Sequence, residues 1–183
     1  MPHIIVLGGP HGAGKTTAAQ GIVSDLEIGV FVNADEIERG LAHTAGMQVA
    51  AGRQALERMD LLVEQQVDFA VEATLSAKAL SKRLRRYQES GYTINLLFFY
   101  LHSADLAVQR VALRVERGGH DIPVPDIRRR YERGLQNFFG HYRHIADHWF
   151  FYDNSLEPIL IASSEGAVRD EPLWQALKEQ YDG

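Results

Sequence analysis

Cysteine is absent from this 183-residue chain, which removes disulfides and thiolate metal sites and fits a reducing compartment such as the cytoplasm. Long hydrophobic runs are lacking too. No apolar stretch approaches ~18 residues, so no helical membrane span is expected. The opening residues show no basic segment followed by an apolar core, so no secretory leader is expected either. Nor is there an excess of positive charge: 19 Lys and Arg face 24 Asp and Glu, a formal net charge of −5. That balance supplies no global field for nucleic acid or an anionic membrane, so any anion site has to be local. With 45% apolar and 23% charged residues, what is present is an ordinary globular composition, enough for one α/β domain with a buried core.

The punctuation along the chain alternates strand and helix. His3–Gly8 is a short apolar run that breaks on glycine, as a buried parallel strand does. Lys15–Glu27 reads as a helix and Val30–Asn33 as a second strand. Gln48–Gln66 reads as a helix whose stripe is Val49, Gly52, Leu56, Met59 and Val63. Asp68–Ala73 is a third strand, and Ala77–Ser90 a helix that Gly91 should stop. Ile94–Leu101, the longest strongly apolar segment, is expected at the centre of the sheet. Ala104–Arg117 is helical, Gly118–Pro125 breaks it, and the periodicity predicts one long helix over Asp126–His148. Trp149–Tyr152 and Pro158–Ala162 are late strands, and Glu171–Tyr181 a closing helix. No repeat, low-complexity tract or linker interrupts this order.

Gly9-Pro-His-Gly-Ala-Gly-Lys-Thr16 satisfies G-x-x-x-x-G-K-[ST] in the required setting, after an apolar strand and before a helix. Glycines let backbone N–H groups turn inward around phosphate oxygens, and the helix adds its N-terminal donors and positive dipole end. Gly9, Pro10, His11, Gly12, Ala13, Gly14, Lys15, Thr16 and Thr17 are therefore the expected nucleotide-binding residues. Lys15 reaches toward the β- and γ-phosphates, and the Thr16 hydroxyl is the expected Mg²⁺ ligand. His11 has no obvious duty there, because backbone donors make the phosphate contacts. The fold class that follows is α/β: a P-loop NTPase three-layer α/β/α sandwich with a mostly parallel five- or six-stranded sheet and a helical lid. Residues 1–183 are expected to form a single domain, with the lid at about 110–133.

Missing motifs narrow the class. There is no Asn-Lys-x-Asp string for reading guanine and no Leu-Ser-Gly-Gly-Gln-like signature. The third strand ends on Glu72 instead of the usual Walker B aspartate. A small phosphotransferase remains, and it needs a base, cations on the transferring group and a lid that excludes water. Asp35, just past the second strand, sits where a carboxylate could accept the acceptor's proton, or else caps the next helix. Arg110, Arg114 and Arg117 share one helical face that runs into Gly118-Gly-His-Asp-Ile-Pro. Arg130, Arg133, Asn137 and His141 follow on the next helix. Two arginine-bearing helices around a Gly/Pro loop look like a closing lid; the alternative is a solvated basic face. Lys82–Arg86 reads as solvated. Asp153-Asn-Ser155, after a late strand, is either a base-contacting loop or a plain turn.

Taken together, the P-loop, Asn33-Ala-Asp35, Val71-Glu-Ala-Thr74, Arg117-Gly-Gly-His120, Arg130 and Tyr152-Asp-Asn-Ser155 resemble the zeta toxin family of P-loop kinases, in its compact form. The likeness runs from His3 to about Ala162. It implies a kinase that uses ATP or GTP with Mg²⁺ and phosphorylates a sugar hydroxyl, in the family's characterised members the 3′-hydroxyl of UDP-N-acetylglucosamine. On that resemblance Lys15, Asp35, Arg117 and Arg130 are catalytic, with Asp35 as the base. Asp35, Glu72, Thr74, His120 and Asn137 would lie on the acceptor side. An antitoxin partner and a cytoplasmic setting are implied as well.

This chain departs from the longer toxins in having only Thr44–Gly52 and the lid to wall in a nucleotide sugar. Two other readings stay open beside this one. One is a metabolic or nucleic-acid-end kinase with a different acceptor, though a net charge of −5 argues against a polynucleotide. The other is a nucleotide-binding module without transferase activity.

Overall fold

The computed structural model describes residues 1–25, 28–33 and 47–182. Strand β1 (His3–Gly8) is buried along all but its first residue and pairs in parallel with β3 (Phe69–Ala73) on one side and β4 (Thr93–Tyr100) on the other. An apolar run hydrogen-bonded on both edges has nowhere to expose itself, which is why its sequence does not alternate. β2 (Val30–Asn33) extends the sheet beyond β3, and β5 (His148–Asp153) lies beyond β4. β6 (Ile159–Ser163) closes that edge antiparallel to β5, giving the order β2-β3-β1-β4-β5-β6. β4 is central, as its composition predicts.

The chain moves from β1 to the β2 side, then returns past β1 to β4. Strand order therefore reverses at β1, and a crevice opens beyond its carboxyl end. The helices α1 (Lys15–Asp25), α2 (Met47–Glu64), α3 (Ala79–Glu89), α4 (Ala104–Glu116), α5 (Val124–Gly140) and α6 (Glu171–Tyr181) complete a three-layer α/β/α sandwich. Among the described residues no helix is long and apolar enough to cross a membrane.

Local chemistry sets the helix ends. Ser103 caps α4 by accepting from the Leu106 N–H at 3.1 Å, and Asp170 caps α6 by accepting from Leu173 N–H at 3.1 Å. α3 ends in a Schellman motif, with Tyr92 N–H donating to Tyr87 O and Gly91 N–H to Gln88 O. α4 ends the same way through Gly118 and Gly119 onto Val115 and Arg114. One expectation is corrected: the helix predicted over Asp126–His148 stops at Gly140. A 3₁₀ turn at Tyr142–His144 follows, and His148 already belongs to β5. Tyr142 and Ile145 are buried within and just after that turn, so the apolar spacing continues although the helix does not. His141, His144 and His148 consequently share no helical face.

The core is aromatic on the β5 side. Phe98 stacks on Phe151 at 5.3 Å and packs against Phe138 of α5 at 4.7 Å, while Trp149 stacks on Trp174 of α6 at 5.5 Å. Fully burying each such ring contributes ~1.5–3 kcal/mol. On α3, Arg83 and Arg86 are not merely solvated: both pair with Asp60 of α2, which also accepts from the Tyr87 hydroxyl at 2.5 Å. Burial opposes the charge on Asp60, but the bonds from Tyr87 and Arg83 and the two guanidinium charges hold its carboxyl below the usual range.

Candidate active site

The glycine loop between β1 and α1 is shaped by close backbone approach. Gly9 has φ +139°, and a Cβ there would lie 2.3 Å from the Phe99 carbonyl oxygen. Gly14 has φ +80°, and a Cβ there would lie 2.7 Å from Asn154 Nδ2. A side chain at either position would be strained, and at Gly9 it would run into backbone. The loop is also tied from behind. Asn154 Nδ2 donates to Ala13 O at 2.6 Å, and Arg110 donates to Gly12 O, Asn154 O and Ser155 O at 3.3, 2.9 and 2.8 Å. The segment Asp153–Ser155 thus braces the loop, and Arg110 is the bolt between them.

Lys15 opens α1 and is 5% exposed; its Nζ donates to Pro10 O at 2.8 Å and lies 3.7 Å from Glu72 Oε1. Thr16 Oγ1 donates to Glu72 Oε2 at 2.7 Å, and Asn33 Nδ2 donates to the same oxygen at 3.0 Å. Sheet register makes this possible: Glu72 stands opposite Leu7 of β1 and opposite Asn33 of β2, at the carboxyl ends of all three strands. A hydroxyl beside a carboxylate is an all-oxygen donor set, and it suits Mg²⁺.

A cavity of about 270 Å³ opens beside this cluster, lined on its polar part by His11, Lys15, Asn33, Glu72, Thr74 and Arg130. Its apolar lining includes Leu56, Met59, Leu80 and Tyr142. Thr74 Oγ1 and Ser76 Oγ lie 2.9 Å apart on its wall. Between them Leu75 holds φ +57°, rare for a side chain with a Cβ. Two contacts from α5 and one from the following turn fix it. Asn137 Nδ2 donates to Leu75 O at 2.8 Å, Gly134 comes so close that a Cβ would lie 2.7 Å from Thr74 O, and the Tyr142 hydroxyl donates to Ala77 O.

The expected site residues are therefore not all in one place. Lys15, Glu72, Thr74 and Arg130 line the cavity, with Thr16 bonded to its Glu72. Asn137 is buried beneath it and His120 is not among its lining residues. Arg117 lines a separate, more open cleft of about 510 Å³ with Arg110, Leu113, Arg114, Gly118 and Gly119. Arg114 Nη2 donates to His120 O at 3.0 Å, while its buried Nε has no partner among the described residues. Asp35 and residues 44–46 of Thr44–Gly52 lie outside the described residues, while Gly52 lines the cavity from α2.

Sequence reasoning placed His11 in the nucleotide-binding loop without a duty for its side chain, left Asn154 in a segment read as a base-contacting loop or a plain turn, and named Asn33 only within a family motif. His11 is 4% exposed, and Arg130 Nη1 donates to its Nε2 at 2.9 Å. Burial, then Lys15, Arg130, Arg114 and His120, hold its imidazole neutral, with the pKa down at about 2. Asn33 was legible as a polar residue ending an apolar strand. The partners of Asn154 and His11, distant in sequence, left no such signal.

A family model described as zeta toxin matches residues 1–165. An uncharacterised protein of Haemophilus influenzae is 25% identical over 125 residues, covering 67% of this chain and 88% of that protein. A chain of the PezAT chromosomal toxin–antitoxin system of Streptococcus pneumoniae superposes with TM-score 0.69 at 17% identity, covering 100% of this chain and 79% of that one. A chain of the AvrRxo1-ORF1:ORF2 structure with ATP gives TM-score 0.76 at 16% identity, covering 97% of this chain and 63% of that one. At such identities the two structures speak for the fold.

Proposed function

We propose that this chain, which belongs to the zeta toxin family of P-loop kinases, transfers the γ-phosphoryl group of ATP or GTP to a sugar hydroxyl, with a nucleotide sugar of the UDP-N-acetylglucosamine kind as acceptor. The observation that carries this reading is the convergence of Lys15, Thr16 with Glu72, and Arg130 on one cavity at the carboxyl ends of the parallel strands.

In this reading the Gly9–Thr17 backbone takes the donor phosphates, Lys15 bridges toward the β- and γ-oxygens, and Thr16 with Glu72 orients Mg²⁺. When bound, the metal neutralises charge shared by the β- and γ-phosphates. The acceptor hydroxyl lies on the Thr74 side of the cavity. Its oxygen forms the new bond to phosphorus as the bond to the β–γ bridging oxygen breaks, and its proton passes to Asp35. Lys15 and Arg130 offset the charge on the transferring group. The cleft on α4 suits the rest of the donor: Arg110 joins it to the phosphate loop, and Arg114, whose Nε has no partner among the described residues, offers a buried cationic donor. Arg117 borders that cleft, and within the expected lid region of about 110–133 the loop between α4 and α5 would be the part that closes over it, all in one domain of 1–183. His120 and Asn137 support the two sides without touching the transferring group. An antitoxin that blocks the nucleotide site, and a cytoplasmic setting, complete the proposal.

The test is incubation with Mg·ATP or Mg·GTP and a panel of nucleotide sugars, nucleosides and cell extract, read by mass spectrometry. A gain of one phosphate on a UDP-amino sugar is expected, and Asp35→Asn should keep nucleotide binding while losing transfer by orders of magnitude. Phosphate on a different acceptor alone would replace the nucleotide-sugar reading. Near-wild-type transfer by Asp35→Asn would remove Asp35 as the base.

A further inference from the structure

His11 and Arg130 are separated by 119 positions in sequence yet bonded side chain to side chain. His11 occupies the turn of the phosphate loop, where backbone N–H groups make the expected phosphate contacts and no side chain is required. Its ring is nonetheless 4% exposed. A polar ring buried in that way has to be hydrogen-bonded, and the partner here is a guanidinium. Arginine only donates, so the His11 Nε2 lone pair accepts and the ring proton sits on Nδ1. The same cavity that holds His11 and Arg130 is lined by Lys15.

The other end of the contact is rigid. Arg130 lies mid-way along α5, flanked by Ile127 at 1% and Tyr131 at 5% exposure. The Tyr131 hydroxyl donates to Leu101 O at 2.7 Å, and Gly134 sits hard against Thr74 O. α5 therefore cannot slide without disturbing the strand ends, which fixes the Arg130 backbone. A long side chain on a fixed backbone still has rotamers to lose. The imidazole removes that freedom. It also keeps a neutral group among three cations, Lys15, Arg114 and Arg130, all near enough to depress its protonation.

From this geometry we infer that His11 is a positioning residue for phosphoryl transfer: its Nε2 holds the Arg130 guanidinium at the rim of the phosphate loop, set in place before the donor binds. Arg130 then needs no lid movement to reach the transferring group, and its alignment is preorganised. The glycine loop thus does two things, one with its backbone and one with a side chain. The inference deepens the phosphotransferase reading and rests on it for the kinetic part of its test, whereas the contact itself can be measured without turnover.

The experiment uses His11→Phe, which keeps a buried ring but accepts nothing, and His11→Gln, which keeps an acceptor oxygen. Arg130→Ala and the Arg130→Ala/His11→Phe double variant complete the cycle. His11→Phe should lower kcat by ~10-fold or more with KM for the nucleotide within about twofold, and His11→Gln should retain most of the rate. In the Arg130→Ala background His11→Phe should add no further loss, because a residue acting through Arg130 has nothing left to position. Additive losses, or an effect on nucleotide KM alone, would overturn the inference.

Imidazole ¹⁵N NMR on the nucleotide-free wild type reads the contact directly. The Nδ1–H tautomer of His11 is expected, changed by Arg130→Ala. An ordinary titration of His11, indifferent to Arg130→Ala, overturns the inference whatever the activity. If wild type moves no phosphate to any acceptor or to water, the kinase reading fails, and the positioning role falls with it even though the contact stands. Should His11→Phe not fold, the His11→Gln rate, Arg130→Ala and the NMR signal still decide.

Discussion

Glu72 Oε2 accepts a hydrogen bond from Thr16 Oγ1 at 2.7 Å, so the end of β3 and the start of α1 are joined at the point where a metal would sit. The same carboxylate lies 3.7 Å from Lys15 Nζ. In the proposed reading Glu72 would be the strand-end acid of the phosphate site, a duty wider than the acceptor side implied by family resemblance alone.

Glu72→Gln keeps the shape and an acceptor for Thr16 while removing the charge. Turnover should fall ~10²-fold or more, and the Mg²⁺ concentration for half-maximal rate should rise. Nucleotide binding without metal should be little weakened. A rate profile against Mg²⁺ that matches wild type would mean that Glu72 does not support the metal.

Two glycines should respond to alanine in opposite directions. Gly9→Ala needs a strained φ and drives Cβ to 2.3 Å from a backbone oxygen, so loss of several kcal/mol or failure to fold is expected. Gly21 sits exposed within α1, and a methyl group added there would meet nothing within 4 Å among the described residues. Gly21→Ala should stabilise by ~0.4–1 kcal/mol through the unfolded state, a rise of a few degrees in Tm. Thermal denaturation of the two variants checks both.

Asn137→Ala removes the donor that holds Leu75 O and leaves a buried carbonyl unpaired. A cost of ~1–3 kcal/mol in denaturant unfolding is expected. Because Leu75 sits at φ +57° between Thr74 and Ser76, the released strand end should also raise acceptor KM more than nucleotide KM. Equal changes in both would point to a general loss of packing.

The elements near the glycine loop were legible because they are local: an apolar run, glycines at fixed spacing and a helix start all lie within a few residues. β1, β2 and α6 emerge where their patterns place them. The end of α5 was not legible, since Tyr142 and Ile145 stay buried through a 3₁₀ turn and prolong a helical period beyond the helix. At the site, Lys15 and Thr16 are written in one motif, whereas Arg110 on Gly12 and Asn137 under Leu75 depend on register and helix placement. Pairings between distant positions carry no periodic signal in a single sequence.

His11 should make stability sensitive to acid. Its folded pKa is about 2 against an ordinary 6.5, so in the unfolded chain the ring takes up a proton in a range where the folded protein does not. Unfolding then binds a proton, and stability drops as pH falls below ~6.5 toward the folded value. The sign is the opposite of a histidine that gains an anionic partner. By about pH 5 the loss from this one group amounts to roughly 2 kcal/mol, and near pH 7.5 it is negligible. Among the described residues the charged groups facing the ring, Lys15 from α1, Arg130 from α5, Arg114 from α4 and His120 from the loop between those two helices, all disfavour its charge. His11→Gln carries no titrating group. Between about pH 7.5 and about pH 5, urea unfolding should therefore show wild type losing roughly 2 kcal/mol more than His11→Gln. Parallel losses in the two proteins would mean that His11 titrates as freely in the folded state as in the unfolded one, and that the Arg130 contact does not hold its lone pair.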